Sequence, residues 1–187
     1  MRMMLSVLIW LLCAVIGFLA DVINWPLAPL VAMFASGDGW LPRWLWWFQT
    51  PENPLDGGED YRKNHRWFRS HPDVDQGWRR YVNRVWWMWR NPMYGLQHAM
   101  GVRVVSAASY AVRGPESVGD KTGAGCVLRT IDTGFLPFFQ LYLIKPWSKG
   151  RCLRLHLGWK IWAKPYDGKQ CMLVFSLNPW KTFSPSA

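Results

Sequence analysis

Eighteen consecutive residues near the start of this sequence carry no charge, and no other feature limits the possible folds so strongly. The run is Met3 to Ala20, MMLSVLIWLLCAVIGFLA. As a helix rising 1.5 Å per residue it would be about 27 Å long, close to the hydrocarbon thickness of a bilayer. Leu, Ile, Val and Phe fill ten of the eighteen positions. At about −0.3 to −0.6 kcal/mol each on an insertion scale, they sum to roughly −3 to −6 kcal/mol in favour of lipid. The run therefore reads as a membrane anchor, with Leu5, Leu8, Ile9, Leu12, Ile16 and Leu19 as its anchor residues. A cleavable signal peptide is the competing reading. Against it, Arg2 is the only charge before the run, and no small-x-small pattern closes it at Ala20. A buried core helix is a third reading, disfavoured by the length and the missing polar face.

A second apolar stretch, Trp25 to Ala35, follows the polar break at Asp21 and Asn24. It contains Pro26 and Pro29 and is too short to span. The expectation is a re-entrant or interfacial arm, so that residues 1–36 form the anchor. Residues 37–187 then form one Trp-rich basic domain, long enough to bury a single core.

The chain has 22 Lys and Arg against 12 Asp and Glu, a formal charge of +10. From Asn91 onward there are 12 basic and 4 acidic residues, so the excess sits in the C-terminal half. Such a balance suits an anionic partner: lipid head groups, nucleic acid or an acidic protein. The fifteen tryptophans point to boundaries, because an indole has an apolar body and one N–H donor. Trp40, Trp44, Trp46 and Trp47, within WLPRWLWWF, form an aromatic belt directly after the apolar arm. Thr50 to Asp60 is a turn-rich acidic loop. It lacks the ligand spacing of a calcium loop and reads as solvated.

Val74 to Arg90 has helical periodicity, with Asp73 or Asp75 as N-cap and Asn91-Pro92 as the stop. Val74, Trp78, Tyr81, Val82, Val85, Trp86, Met88 and Trp89 share an apolar arc. Arg79, Arg80 and Arg84 lie opposite, and Trp87 points out among them. An indole framed by arginines suits head groups or a stacked base; the plainer reading is an intramolecular cation–π contact. From Val102 the period becomes 2. Arg151 to Lys164 alternates a dry row (Leu153, Leu155, Leu157, Trp159, Ile161) with a row bearing Arg154, His156, Lys160 and Lys164. That basic row either grips phosphates or is an ordinary solvated face. Asp167-Gly168 turns the chain into a return strand at Met172 to Leu177. With Phe138–Ile144, Val127–Ile131 and Val102–Val112, the expected fold is α+β: an antiparallel meander of about five strands and a covering helix.

Catalytic signals are weak. Cysteines 13, 126, 152 and 171 form no close pair, and the four histidines have no metal-ligand spacing. No metal or cofactor is expected. The string Asp120-Lys121-Thr122-Gly123 looks like the K-T-G element of serine β-lactamases, but the S-x-x-K and S-D-N partners are absent, so it reads as a turn.

Leu41-Pro42-Arg43-Trp44-Leu45-Trp46-Trp47-Phe48, Thr50-Pro51-Glu52-Asn53-Pro54 and Arg90-Asn91-Pro92-Met93-Tyr94-Gly95 occur in that order. They are followed by Gly150-Arg151-Cys152-Leu153-Arg154, Gly158-Trp159-Lys160 and Val174-Phe175-Ser176-Leu177-Asn178-Pro179. In this order the motifs resemble a family of uncharacterised tailed-bacteriophage and prophage proteins. The resemblance implies a phage origin and a setting in the infected bacterial cell, with no activity to carry over. The expectation is a non-enzymatic accessory protein at the bacterial inner membrane, its domain cytoplasmic, contacting membrane lipid and a protein of the host envelope. Superinfection exclusion or envelope modulation would suit that setting. A minor virion component and a basic nucleic-acid-binding protein are the alternatives, the latter not favoured.

Overall fold

The computed structural model describes residues 1–57, 76–105, 108–161 and 167–185. Lys164, the candidate N-caps Asp73 and Asp75, and the end of the acidic loop lie outside these residues. The fold is mixed α+β, with a long apolar helix, further short helices and a five-stranded antiparallel sheet. The chain divides into two compact units, one of residues 1–14 with 100–187 and one of residues 15–99.

Helix α1 runs from Arg2 to Ala32 without a break, where the sequence suggested an anchor followed by a separate arm. Its polar residues explain the continuity. Asn24 is buried and donates to the Met88 carbonyl at 3.1 Å, and Asp21 accepts from the Gln97 amide at 3.3 Å. The two prolines sit inside the helix. A proline at i frees the carbonyl at i−4. Pro29 thus frees the Trp25 carbonyl, which instead accepts from the Trp89 indole at 2.9 Å. Near the helix end, the Pro29 carbonyl accepts from the Tyr81 hydroxyl at 2.9 Å. The tertiary partners repair what proline removes.

In the unit of residues 15–99, a 3-10 helix (Arg43–Phe48), α2 (Gly77–Arg90) and α3 (Tyr94–Ala99) follow α1. Its core gathers Ala20, Ala28, Val31, Leu45, Phe48, Leu55, Val85, Met88 and Met93. Gly95 permits the close approach of α3 to the 3-10 helix, since a Cβ there would lie 2.2 Å from the Trp46 carbonyl oxygen.

In the other unit, β2 (Ser109–Arg113), β3 (Gly125–Asp132), β4 (Pro137–Ser148), β5 (Arg151–Trp159) and β7 (Leu173–Thr182) pair in that order as an antiparallel meander. A two-stranded pair, β1 (Val102–Arg103) with β6 (Gln170–Cys171), lies apart from it. Residues directly opposite each other in antiparallel strands share a face. The register therefore puts Arg129, Gln140, Tyr142, Ile144, Arg154, His156 and Ser176 on one side. On that side Val118 and Phe183 pack over Val127, Ile144 and Cys152. The other side carries the leucines of β3, β4 and β5. At its end, Ile9, Trp10 and Cys13 of α1 pack with Phe139, Trp159, Leu173 and Phe175. The Trp10 indole donates to the Val174 carbonyl at 3.0 Å and meets Phe139 edge-on.

Gly158 has φ +101°, and a Cβ there would sit 2.0 Å from the Phe139 carbonyl oxygen. Gly158→Ala is expected to cost about 2–4 kcal/mol, combining a strained φ with a backbone clash. Thermal unfolding checks this.

Candidate functional site

Five of the six expected anchor residues are exposed: Leu5, Leu8, Leu12, Ile16 and Leu19. Leu8 is 61% exposed and Leu12 63%. Ile9 differs, turning toward the sheet with Trp10 and Cys13. The buried positions of α1 recur every three or four residues. In the sheet unit Ser6 is buried and Ile9, Trp10 and Cys13 are partly buried; in the other Gly17, Ala20, Asn24, Ala28 and Val31 are buried. Small side chains dominate this stripe, which lets protein approach the helix closely while the bulky residues face outward.

The aromatic belt is exposed as a group. Trp40, Trp44, Trp46 and Trp47 all face outward, while Leu45 and Phe48 between them enter the core. Trp46 and Trp47 stack with centroids 6.1 Å apart, and the Trp47 indole donates to the Trp44 carbonyl at 2.8 Å. Trp25 adds a second outward aromatic group, stacked on Trp89 at 5.3 Å with Trp86 edge-on to Trp89.

The arginines of α2 behave differently from the expectation of an anion-binding face. Arg84 is buried, and its Nε lies 2.7 Å from Asp56 Oδ1. Arg80 Nη2 lies 2.6 Å from Asp56 Oδ2. Arg84 also donates to the Ser36 carbonyl at 3.0 Å, and Arg80 to the Gly37 carbonyl. Burial alone would raise the Asp56 carboxyl, but hydrogen bonds and charge from Arg84 and Arg80 hold it below its usual value. At 100° per residue, burying Arg84 rotates the inward face by about a quarter turn from the apolar arc. Trp87 is carried into partial burial against the core, and Trp78 and Trp86 are left exposed. Arg79 remains exposed. Arg80 and Arg84 thus engage Asp56 and main-chain carbonyls, and Trp87 packs against the core. The sequence signal for Asp56 was two arginines four apart on one helix face without an acidic partner on that helix.

Of the basic row of β5, Arg154, His156 and Lys160 are among the described residues. Arg154 is partly buried and reaches Ser176 Oγ at 3.5 Å. Gln140 Nε2 and His156 Nε2 lie 2.6 Å apart. With the Gln140 amide nitrogen turned to the ring, the bond uses His156 Nε2 as acceptor. Burial pushes His156 down to about 3, with repulsion from Lys160, Arg154 and Arg129 adding to it. Lys160 lies just past the end of β5 and is partly exposed.

An unfolded histidine titrates near 6.5, so between about pH 6.5 and 3 the unfolded chain binds a proton that the folded one refuses. The contribution of His156 is complete above that window and declines as pH falls. The expected loss by pH 5 is about 2 kcal/mol. His156→Gln removes the term, so the stability advantage of the native chain over the variant shrinks by that amount between pH 7 and pH 5. Urea unfolding at both values measures it.

The K-T-G string is a tight turn: Gly119 bridges to Gly123, and the Thr122 hydroxyl donates to the Ser117 carbonyl at 2.5 Å. Among the described residues no three of His, Cys, Asp and Glu gather as metal ligands would. Cys152 and Cys171 are buried, and burial pushes both thiols up. No curated protein and no solved structure matches the chain. One family does match, over residues 1–185, and the chain belongs to it: DUF7338, a family of unknown function.

Proposed function

We propose that this protein is a non-enzymatic, membrane-anchored accessory protein of phage origin, acting at the bacterial inner membrane. The single supporting observation is the outward, wholly apolar flank of α1. A helix of 31 residues is about 46 Å long, more than the roughly 30 Å hydrocarbon core. Ile9, Trp10 and Cys13 pack within the sheet unit, and Ala20, Ala28 and Val31 pack within the unit of residues 15–99, so neither part of the helix offers a run of about twenty residues free of protein. A spanning pose would pull polar protein into hydrocarbon with it. The apolar flank therefore rests in the interface, and in the unit of residues 15–99 the exposed Trp40, Trp44, Trp46 and Trp47 suit head-group level. On this anchor the protein holds a host or phage macromolecule, in superinfection exclusion or envelope modulation.

Fractionation tests the reading. The full chain is expected with membranes and should be released by detergent but not by high salt; recovery in the soluble fraction would end the proposal. A minor virion component would appear in mass spectra of purified particles. The nucleic-acid alternative has less support, because Arg80 and Arg84 hold Asp56 and His156 is neutral.

A further inference from the structure

Among the described residues, no buried cluster covers the leucine side of the sheet beyond the end met by α1. Leu128, Leu141, Leu157 and Phe175 form one cross-strand row. Cys126, Leu143, Leu155 and Leu177 form the next, and Lys145 with Leu153 continues it. Leu141, Leu143, Leu153, Leu155 and Leu157 are each only partly buried and join none of the three buried clusters; Leu177 is 68% exposed. The opposite side, by contrast, buries Val127, Arg129, Gln140 and Ile144. Leu177 is left outward while Arg129 and Gln140 are covered.

We propose that this leucine field is a second lipid-binding face, resting on the surface of an anionic bilayer independently of the α1 flank. It extends the membrane reading but is carried by the sheet alone. Area argues for lipid over a second copy of the chain. Four strands about 4.8 Å apart and five residues deep give roughly 250 Å². A stable protein contact needs about 800 Å² per partner, whereas lipid requires no complementary shape. Charge supplies the head-group preference. Residues 133–166 contain six Lys and Arg and no Asp or Glu. Lys145 lies in the leucine rows, and Lys145, Lys149 and Arg151 are exposed around the β4–β5 turn. Beside that turn Trp147 and Trp180 meet edge-on at 4.9 Å, both exposed, and the Trp147 indole donates to the Pro179 carbonyl. Lysines and indoles rimming an apolar patch are the residues that settle at head-group depth. Contact is shallow, because the edges of β2 and β7 carry backbone groups that need water.

Cys126 provides the probe, being exposed and directly opposite Leu143. In the full chain with Cys13→Ala, and with Cys152 and Cys171 buried, Cys126 takes an environment-sensitive nitrobenzoxadiazole label. On vesicles of phosphatidylethanolamine and phosphatidylglycerol the label is expected to shift to the blue and be quenched by doxyl-labelled lipid. Phosphatidylcholine vesicles should give much weaker quenching. Leu141→Lys with Leu155→Lys should reduce the quenching about tenfold or more, with flotation through α1 retained. A chain that floats while its native-sequence Cys126 label stays in water overturns this inference alone. A Cys126–Cys126 cross-link on vesicles without lipid quenching overturns it in favour of a second copy. A chain that does not float overturns both membrane readings.

Discussion

A chain carrying Leu8→Glu, Leu12→Glu and Leu19→Glu leaves the membrane fraction and keeps its fold. All three leucines are more than half exposed, so their replacement removes no packing. Exposed substitutions of this kind change stability by within about 0.5 kcal/mol each. Each leucine withdrawn from lipid forfeits about 1.5 kcal/mol, so three together lower partitioning by about three orders of magnitude. Ala20→Glu is the contrast. Ala20 belongs to the buried stripe, and a carboxylate there is expected to unfold its unit. Flotation against vesicles with circular dichroism on the same samples separates the outcomes. Continued flotation of the triple variant with its fold intact would show that α1 does not hold the protein on lipid.

Asp56→Ala is expected to be the most damaging single replacement in the unit of residues 15–99. It leaves the Arg84 guanidinium buried without its counter-charge, a loss of about 3–5 kcal/mol. For a chain of this size that is a fall of roughly 6–20 °C in melting temperature. Arg80 is partly exposed and can turn to water, so Arg80→Ala should cost less. Replacing both buried partners, Asp56→Leu with Arg84→Met, should recover much of the loss, since no isolated charge is left behind. The linkage has a definite sign. A carboxyl held below its unfolded value stabilises above about pH 4, and the benefit is lost as pH falls through its native value.

Local pattern was readable, and partnership was not. The alternation of Arg151 to Trp159, the turn at Asp167-Gly168 and the apolar run at Phe138 to Ile144 correspond to β5, the turn before β6 and β7, and β4. The stop at Asn91-Pro92 is where α2 ends. Misreadings arose where a distant residue decided the outcome. Asp21, Asn24, Pro26 and Pro29 looked like a break because their local effect is to interrupt a helix, and Trp89, Met88 and Gln97 cancel that effect. Asp56 looked solvated in an acidic loop, and its two arginines are 24 and 28 residues away. The alternation in β5 gave the two faces correctly but could not tell which one Val118 and Phe183 would cover.

The Trp10–Val174 bond joins residues 164 apart in sequence. A ribosome adding about 5–20 residues per second needs roughly 10–30 s to make the second partner after the first has emerged. Throughout that interval the opening helix has no strands to rest on and must be kept from clumping with other nascent chains. A lipid surface close to the exit tunnel is a natural resting place. Translation in the absence of membranes should therefore yield insoluble chains, and nanodiscs supplied before Val174 is made should rescue more of them than nanodiscs supplied afterwards.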